Sequence, residues 1–361
     1  MGAYYLTFAV VFSFSLIAIS ISKSMGYQDV SIKGQPFAVK IFLFLTAAML
    51  IFVAGCRYYV GTDYGAYYKG LTTYAPNLEK ALRTFDEPGL PLVARIVSWF
   101  TDDGAYIVFA CSLLTIGLFL IEMYRNDNSY LMVSLLFLFL PWDGTFNGVR
   151  QFFASSILFF GHRFIYEKKL WKWLLTVFLA ACFHISAVVM VVIYFLLRNK
   201  VRLRNVLLLA GGTYLISANY DTIFSMIGFL KDSDMTTLDA YATNSVSILR
   251  ILVSCSPAIA CLVLYYKKEL TEEQTFYMNS LVIHAAAMVA ASNSTYLARI
   301  GIYTTPFVVV ALPKLFRTEN KVLERILRIG IVVLYAIYFY VEVSNSNALN
   351  NFHWIWERNV I

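Results

Sequence analysis

The chain has 361 residues, 59% of them hydrophobic and only 14% charged, with a mean hydropathy of +0.65. That composition excludes a soluble globular enzyme and a disordered chain, and it points to an all-α, polytopic transmembrane helical bundle. The net charge of +7 sits in short loops between apolar stretches and calls for no nucleic-acid partner.

At roughly 20 apolar residues per helical crossing, the chain holds about 12 spans and little else. Residues 1–361 therefore read as a single integral membrane domain. The first stretch, Ala3 to Ser20, has no basic residue ahead of it and no small-residue cleavage pattern behind it, so it is expected to remain as a helix rather than be removed as a signal peptide. Further apolar spans are expected at 37–55, 105–124, 130–142, 147–165, 171–197, 205–218, 246–266, 275–292, 296–313 and 326–343. Trp99, Trp142, Trp171, Trp173, Trp354 and Trp356 fall near span ends or in loops, where interfacial aromatic residues belong. Cys56, Cys111, Cys182, Cys255 and Cys261 are scattered in apolar surroundings without metal-ligand spacing and read as core.

Lysine and arginine gather in the connections holding Lys23/Lys33, Arg125, Arg163/Lys168/Lys169/Lys172, Arg198/Lys200/Arg202/Arg204, Lys267/Lys268 and Lys314/Arg317/Lys321/Arg325/Arg328. The positive-inside rule assigns these to the cytoplasm and puts loops 56–104 and 219–246, with the C-terminal tail, outside. Residues 173–197 carry basic clusters on both flanks, so the chain is expected to turn back midway, at Cys182-Phe183-His184-Ile185-Ser186, as a short broken hairpin. The prolines and amphipathic stretches of 65–100 predict interfacial helices, and the two outside loops are expected to form a substrate vestibule.

The uncompensated polar residues collect on the outside face. They are Arg57, Asp63 and Tyr64, then Asn147, Arg150 and Gln151, then His184, Arg250 and Arg299. Ionisable groups beside a bilayer are functional candidates by default. Arginine keeps its charge and pairs bidentately with phosphate oxygens, so converging arginines read as a phosphate or pyrophosphate clamp; snorkelling to lipid headgroups is the alternative for any one of them. Asp63 follows a flexible glycine and is either a general base or the partner that orients Arg57. His184 is the other base candidate. His162 and His284 read as structural, no metal or other cofactor is expected, and the Asp232-Ser233-Asp234 triplet is set aside because no soluble nucleotide-binding domain accompanies it.

Three pieces of the chain resemble the EpsG/Wzy-type polysaccharide polymerases of bacterial envelopes. They are Arg57-Tyr58-Tyr59-Val60-Gly61-Thr62-Asp63-Tyr64, the helix start Asn147-Gly148-Val149-Arg150-Gln151-Phe152-Phe153-Ala154, and Leu179-Ala180-Ala181-Cys182-Phe183-His184-Ile185-Ser186. The resemblance implies an inner-membrane glycosyltransferase that joins oligosaccharide repeat units carried on undecaprenyl pyrophosphate at the outer face, without nucleotide sugar or metal. Its implied partners are the lipid-linked oligosaccharide and membrane lipid, with a flippase and a chain-length regulator. In that scheme Arg57, Arg150, Arg250 and Arg299 neutralise the leaving pyrophosphate, Tyr64, Asn147 and Gln151 bind substrate, and Asp63 or His184 handles the acceptor proton. A flippase or transporter for lipid-linked sugars, an O-antigen ligase and a non-catalytic assembly subunit are the competing readings.

Overall fold

A computed structural model describes residues 1–27, 30–198, 212, 247–291 and 295–358, the last from 295 to 299 by backbone alone. The expected span 205–218, apart from Gly212, and the loop 219–246 lie outside the described residues. Those that are described form helices and no strand; their β-type pairing is the isolated antiparallel bridge between Arg57 and Trp354. The chain divides into two compact units, Met1–Val192 with Arg325–Ile361, and Ile193–Glu324.

The first unit opens with α1 (Gly2–Ser24) and α2 (Phe37–Gly55), paired through contacts such as the Phe14–Phe42 rings at 5.8 Å. Short helices follow at α3 (Tyr64–Tyr68), α4 (Gly70–Thr73), α5 (Leu78–Thr84) and α6 (Gly89–Val97), in the segment where interfacial helices are expected. Next comes α7 (Ala105–Asn126), which explains its own placement. Ile107, Cys111, Thr115, Phe119 and Met123 recur at every fourth residue and are buried, so one stripe faces the protein interior. Tyr106, Leu113, Leu114 and Ile121 lie exposed on the other faces. A helix apolar all round suits a lipid surrounding rather than water.

The chain continues through α8 (Tyr130–Phe137), a widened π-type turn at Leu138–Trp142 and a 3₁₀ turn at Asp143–Phe146. Then come α9 (Val149–Phe160), α10 (Arg163–Tyr166), α11 (Leu170–Ala181) and α12 (Val189–Arg198). The expected span 130–142 is helical throughout, changing to the widened turn around Pro141 and running on to Phe146, while 147–165 is divided, with Gly148 before α9 and Gly161 after it. The expected break appears between Ala181 and Ile185, and Trp173 Nε1 donates to the Met190 carbonyl at 3.1 Å, which ties the two arms together.

The second unit contains α13 (Ile248–Leu264), α14 (Glu272–Ala290) and α15 (Thr295–Leu315). Thr271 starts α14 with a capping box to Gln274. The chain then returns through α16 (Lys321–Asn345) and the single turn α17 (Asn347–Asn350). Among the described residues, α1, α2, α7 and α16 are long and apolar enough to cross a membrane, and six shorter apolar segments accompany them. Of the cysteines expected in the core, Cys111 and Cys261 are buried, while Cys56, Cys182 and Cys255 are half-buried; all five are free thiols.

Candidate active site

The Arg57–Tyr64 segment leaves the end of α2 and is held in place by the C-terminal tail. Tyr58 N–H donates to His353 O at 2.8 Å, Ile355 N–H to Cys56 O at 2.9 Å, and Gly61 N–H to Ala348 O at 2.9 Å. Arg358 pairs with Asp103 alongside. Gly61 has φ +98°, and a Cβ there would stand 2.4 Å from the Phe146 carbonyl oxygen, so only glycine lets the turn approach the Asp143–Phe146 segment so closely.

Arg57 lies under this turn with no exposed surface. Its guanidinium donates to the carbonyls of Ala54, Val60 (3.1 Å) and Phe146 (3.4 Å) and to Ser112 Oγ (3.2 Å). Its charge also stands 4.7 Å from the Phe146 ring centroid and 5.9 Å from that of Tyr64. Burial lowers its pKa to about 10, which still leaves it protonated at neutral pH. Enclosed by main-chain oxygens, Arg57 anchors the turn instead of facing a ligand. Tyr64 is equally buried, and desolvation raises the pKa of its hydroxyl.

The start of α9 locks onto the same turn. Thr62 N–H donates to Asn147 Oδ1 at 2.6 Å, and Gly148 N–H donates to Asp63 Oδ2 at 2.9 Å. Two motifs far apart in the chain thus clip together by reciprocal side chain to main chain bonds. Asp63 and Asn147 are both engaged in fixing where α9 begins, and Gln151 is buried in its first turn. What the clip presents is Arg150.

Arg150 Nη1 lies 2.6 Å from Glu87 Oε2, and its guanidinium also bonds the Tyr67 hydroxyl. The other carboxylate oxygen, Glu87 Oε1, accepts from Ile185 N–H at 2.9 Å and stands 3.3 Å from His184 Nδ1. Burial alone would raise the Glu87 pKa, but the bonds from His184 and Ile185 and the charge of Arg150 outweigh it and hold the carboxyl below its ordinary value. Glu87 sits at φ +45°, a backbone conformation that side chains other than glycine rarely take. The main chain around it is pinned by Gly89 N–H donating to Cys182 O at 2.8 Å, with a Cβ at Gly89 placed 2.7 Å from the Phe183 ring.

His184 Nδ1 is also 3.4 Å from Ser186 N. Ser186 Oγ and Glu87 Oε1 both stand 3.3 Å from Nδ1; a proton on Nδ1 serves the carboxylate and leaves the lone pair on Nε2, whereas a bare Nδ1 accepts from the Ser186 N–H. The Glu87 and His184 side chains are 14% and 22% exposed and that of Arg150 38%, so the cluster is sheltered but reachable. Glu87 is the residue that sequence reasoning missed. It lies in none of the quoted motifs, and its one local signal is a carboxylate just before Pro88 in a segment taken for an interfacial helix.

Arg250 and Arg299 belong to the second unit. Arg250 is half-buried in the first turn of α13, where its N–H is capped by Ser247 Oγ at 3.3 Å. Arg299 lies in α15, and its side chain is outside the described residues. His162 and His284 are buried, with Nδ1 at 2.6 Å from Phe159 O and 2.9 Å from Thr304 Oγ1 respectively.

Apolar helices long enough for a bilayer, several of them in one chain, define a polytopic membrane protein. Residues 40–355 match the model of the EpsG family, and the chain belongs to that family, whose members are membrane proteins of the polysaccharide-polymerase type. No curated protein and no solved structure matches it.

Proposed function

We propose that this protein polymerises oligosaccharide repeat units carried on undecaprenyl pyrophosphate, at the outer face of the bacterial cytoplasmic membrane. The observation that carries the reading is the chain Arg150–Glu87–His184, which joins a cation, a carboxylate and an imidazole from three separate segments.

In the reaction, a hydroxyl oxygen of the acceptor sugar attacks the anomeric carbon of the donor, whose bond to the pyrophosphate oxygen breaks. The hydroxyl proton passes to His184 Nε2, and the bonding electron pair leaves with the pyrophosphate. Glu87 orients the imidazole and stabilises the imidazolium that forms. Arg150, half-exposed and permanently charged, offsets the developing negative charge on the leaving group. Asp63 and Asn147 act as positioning residues, because the bonds they make set the start of α9 and therefore the place of Arg150, while Arg57 holds the turn that carries Asp63. The half-exposed and exposed rings of Tyr58 and Tyr59, 4.9 Å apart, offer a face for sugars.

The test is incubation of the purified protein with lipid-pyrophosphate repeat units extracted from the membranes of its own host. A ladder of products without added nucleotide sugar supports the polymerase. Translocation of the lipid without a ladder assigns a flippase, and transfer to a lipid core alone assigns a ligase.

A further inference from the structure

A cavity of about 250 Å³ is lined in part by Glu87 and Arg150, and the chemistry above makes no use of it. Its buried floor is Ala81, Leu90 and Pro91, and its rim carries Asn77, Lys80 and Asp86 with the Tyr74 ring beside them. Glu87 and Arg150 close one end, so the carboxylate that orients His184 is also a wall of the cavity.

We propose that this cavity is the subsite for one uncharged sugar ring of the acceptor saccharide, an inference that rests on the polymerase reading. Size is the first argument. The volume lies just under the ~300 Å³ at which pockets for drug-sized ligands begin, which suits a ring or two rather than a lipid-linked oligomer. Charge is the second. Lys80 and Arg150 are balanced by Asp86 and Glu87, and Arg150 is already engaged by Glu87 at 2.6 Å, so a phosphate gains no net attraction and meets two carboxylates. Chemistry is the third. The side chains of Lys80 and Asp86 make no hydrogen bond or ion pair among the described residues. Both are solvated, and sugar hydroxyls can replace that water, donating to the carboxylate and accepting from the ammonium and the Asn77 amide. The Tyr74 ring and Pro91 supply the apolar surface that a pyranose face covers. A lipid tail would leave the polar rim unsatisfied. Position is the last: Glu87 and Arg150 belong both to the cavity lining and to the cluster that holds His184, so a ring bound here adjoins the proposed base.

Lys80→Ala, Asp86→Ala and the conservative Asp86→Asn alter exposed side chains, and thermal unfolding checks that each variant is folded. Saturation-transfer NMR on the full-length protein in detergent is run with free glucose, galactose, rhamnose and N-acetylglucosamine, with inorganic pyrophosphate as competitor. At least one sugar should give transfer that Lys80→Ala and Asp86→Ala abolish, that Asp86→Asn partly retains and that pyrophosphate leaves in place. In the polymerisation assay the same variants should raise the acceptor KM by about 10-fold with kcat little changed, the signature of lost ground-state contacts. Absence of transfer from every sugar, transfer indifferent to the substitutions, or displacement by pyrophosphate overturns the subsite. A wild-type protein that binds sugar through Lys80 and Asp86 but makes no ladder leaves the saccharide site standing and overturns the polymerase reading instead.

Discussion

Glu87 Oε1 stands 3.3 Å from His184 Nδ1 while Glu87 Oε2 holds Arg150 at 2.6 Å. One carboxylate therefore faces an imidazole with one oxygen and sets the direction of a guanidinium with the other. If His184 is the base, His184→Ala should lower kcat by about 10² to 10⁴. Glu87→Gln keeps the shape but loses the charge, and should lower kcat by about 10 to 10² with a smaller effect on KM. Rates measured with lipid-linked repeat units check both, and unchanged kcat in both variants removes the pair from the mechanism.

The same carboxylate sets an acid limit. Its folded pKa lies below the ordinary value of 4.5, so between the two values the unfolded chain binds the extra proton and the folded one does not. The stabilisation is complete above about pH 4.5 and is lost as the pH falls through the lower, folded value. Thermal unfolding of wild type and Glu87→Gln from about pH 7 to about pH 3 should show a wild-type advantage that disappears only at the acid end.

Arg57 is enclosed by the carbonyls of Ala54, Val60 and Phe146. Removing it leaves buried acceptors without donors, so Arg57→Ala should destabilise the protein by about 3 kcal/mol or more. Arg57→Lys should not rescue it, because a single ammonium cannot reach the several carbonyls that the planar fork spans. Unfolding curves decide the matter, and a stable but inactive Arg57→Ala would return Arg57 to the substrate.

At Gly61, positive φ and the 2.4 Å approach to the Phe146 oxygen act together. Gly61→Ala should lose about 1–3 kcal/mol from the strained backbone alone, and more from the clash. Gly117, in α7, has open space where a Cβ would go, and Gly117→Ala should be neutral or stabilising by up to about 1 kcal/mol. Equal melting temperatures for the two variants would show that the turn does not need its close contact.

Much of the architecture was legible from apolar run length. The ends of α2 match the expectation of 37–55, and the break in the hairpin falls at Cys182–Ser186 as the flanking basic clusters require. Both are local properties: hydrocarbon thickness sets the length of a helix, and charge in water sets where the chain must emerge. The run 130–142 is helical as expected, but its change to a widened turn around Pro141 was not legible, because a run of apolar residues does not record its own hydrogen bonds.

Composition and the spacing of charge by themselves determined the membrane class and the segments that carry the polar residues, since both follow from the solvent each residue must face. The partners of those residues were decided only by tertiary structure. Arg57 went to a cage of carbonyls and Asp63 to the start of a helix. Arg150 met a carboxylate 63 residues earlier that no motif had marked. A side chain reveals its charge in the sequence, but its partner is set by which distant backbone is packed against it.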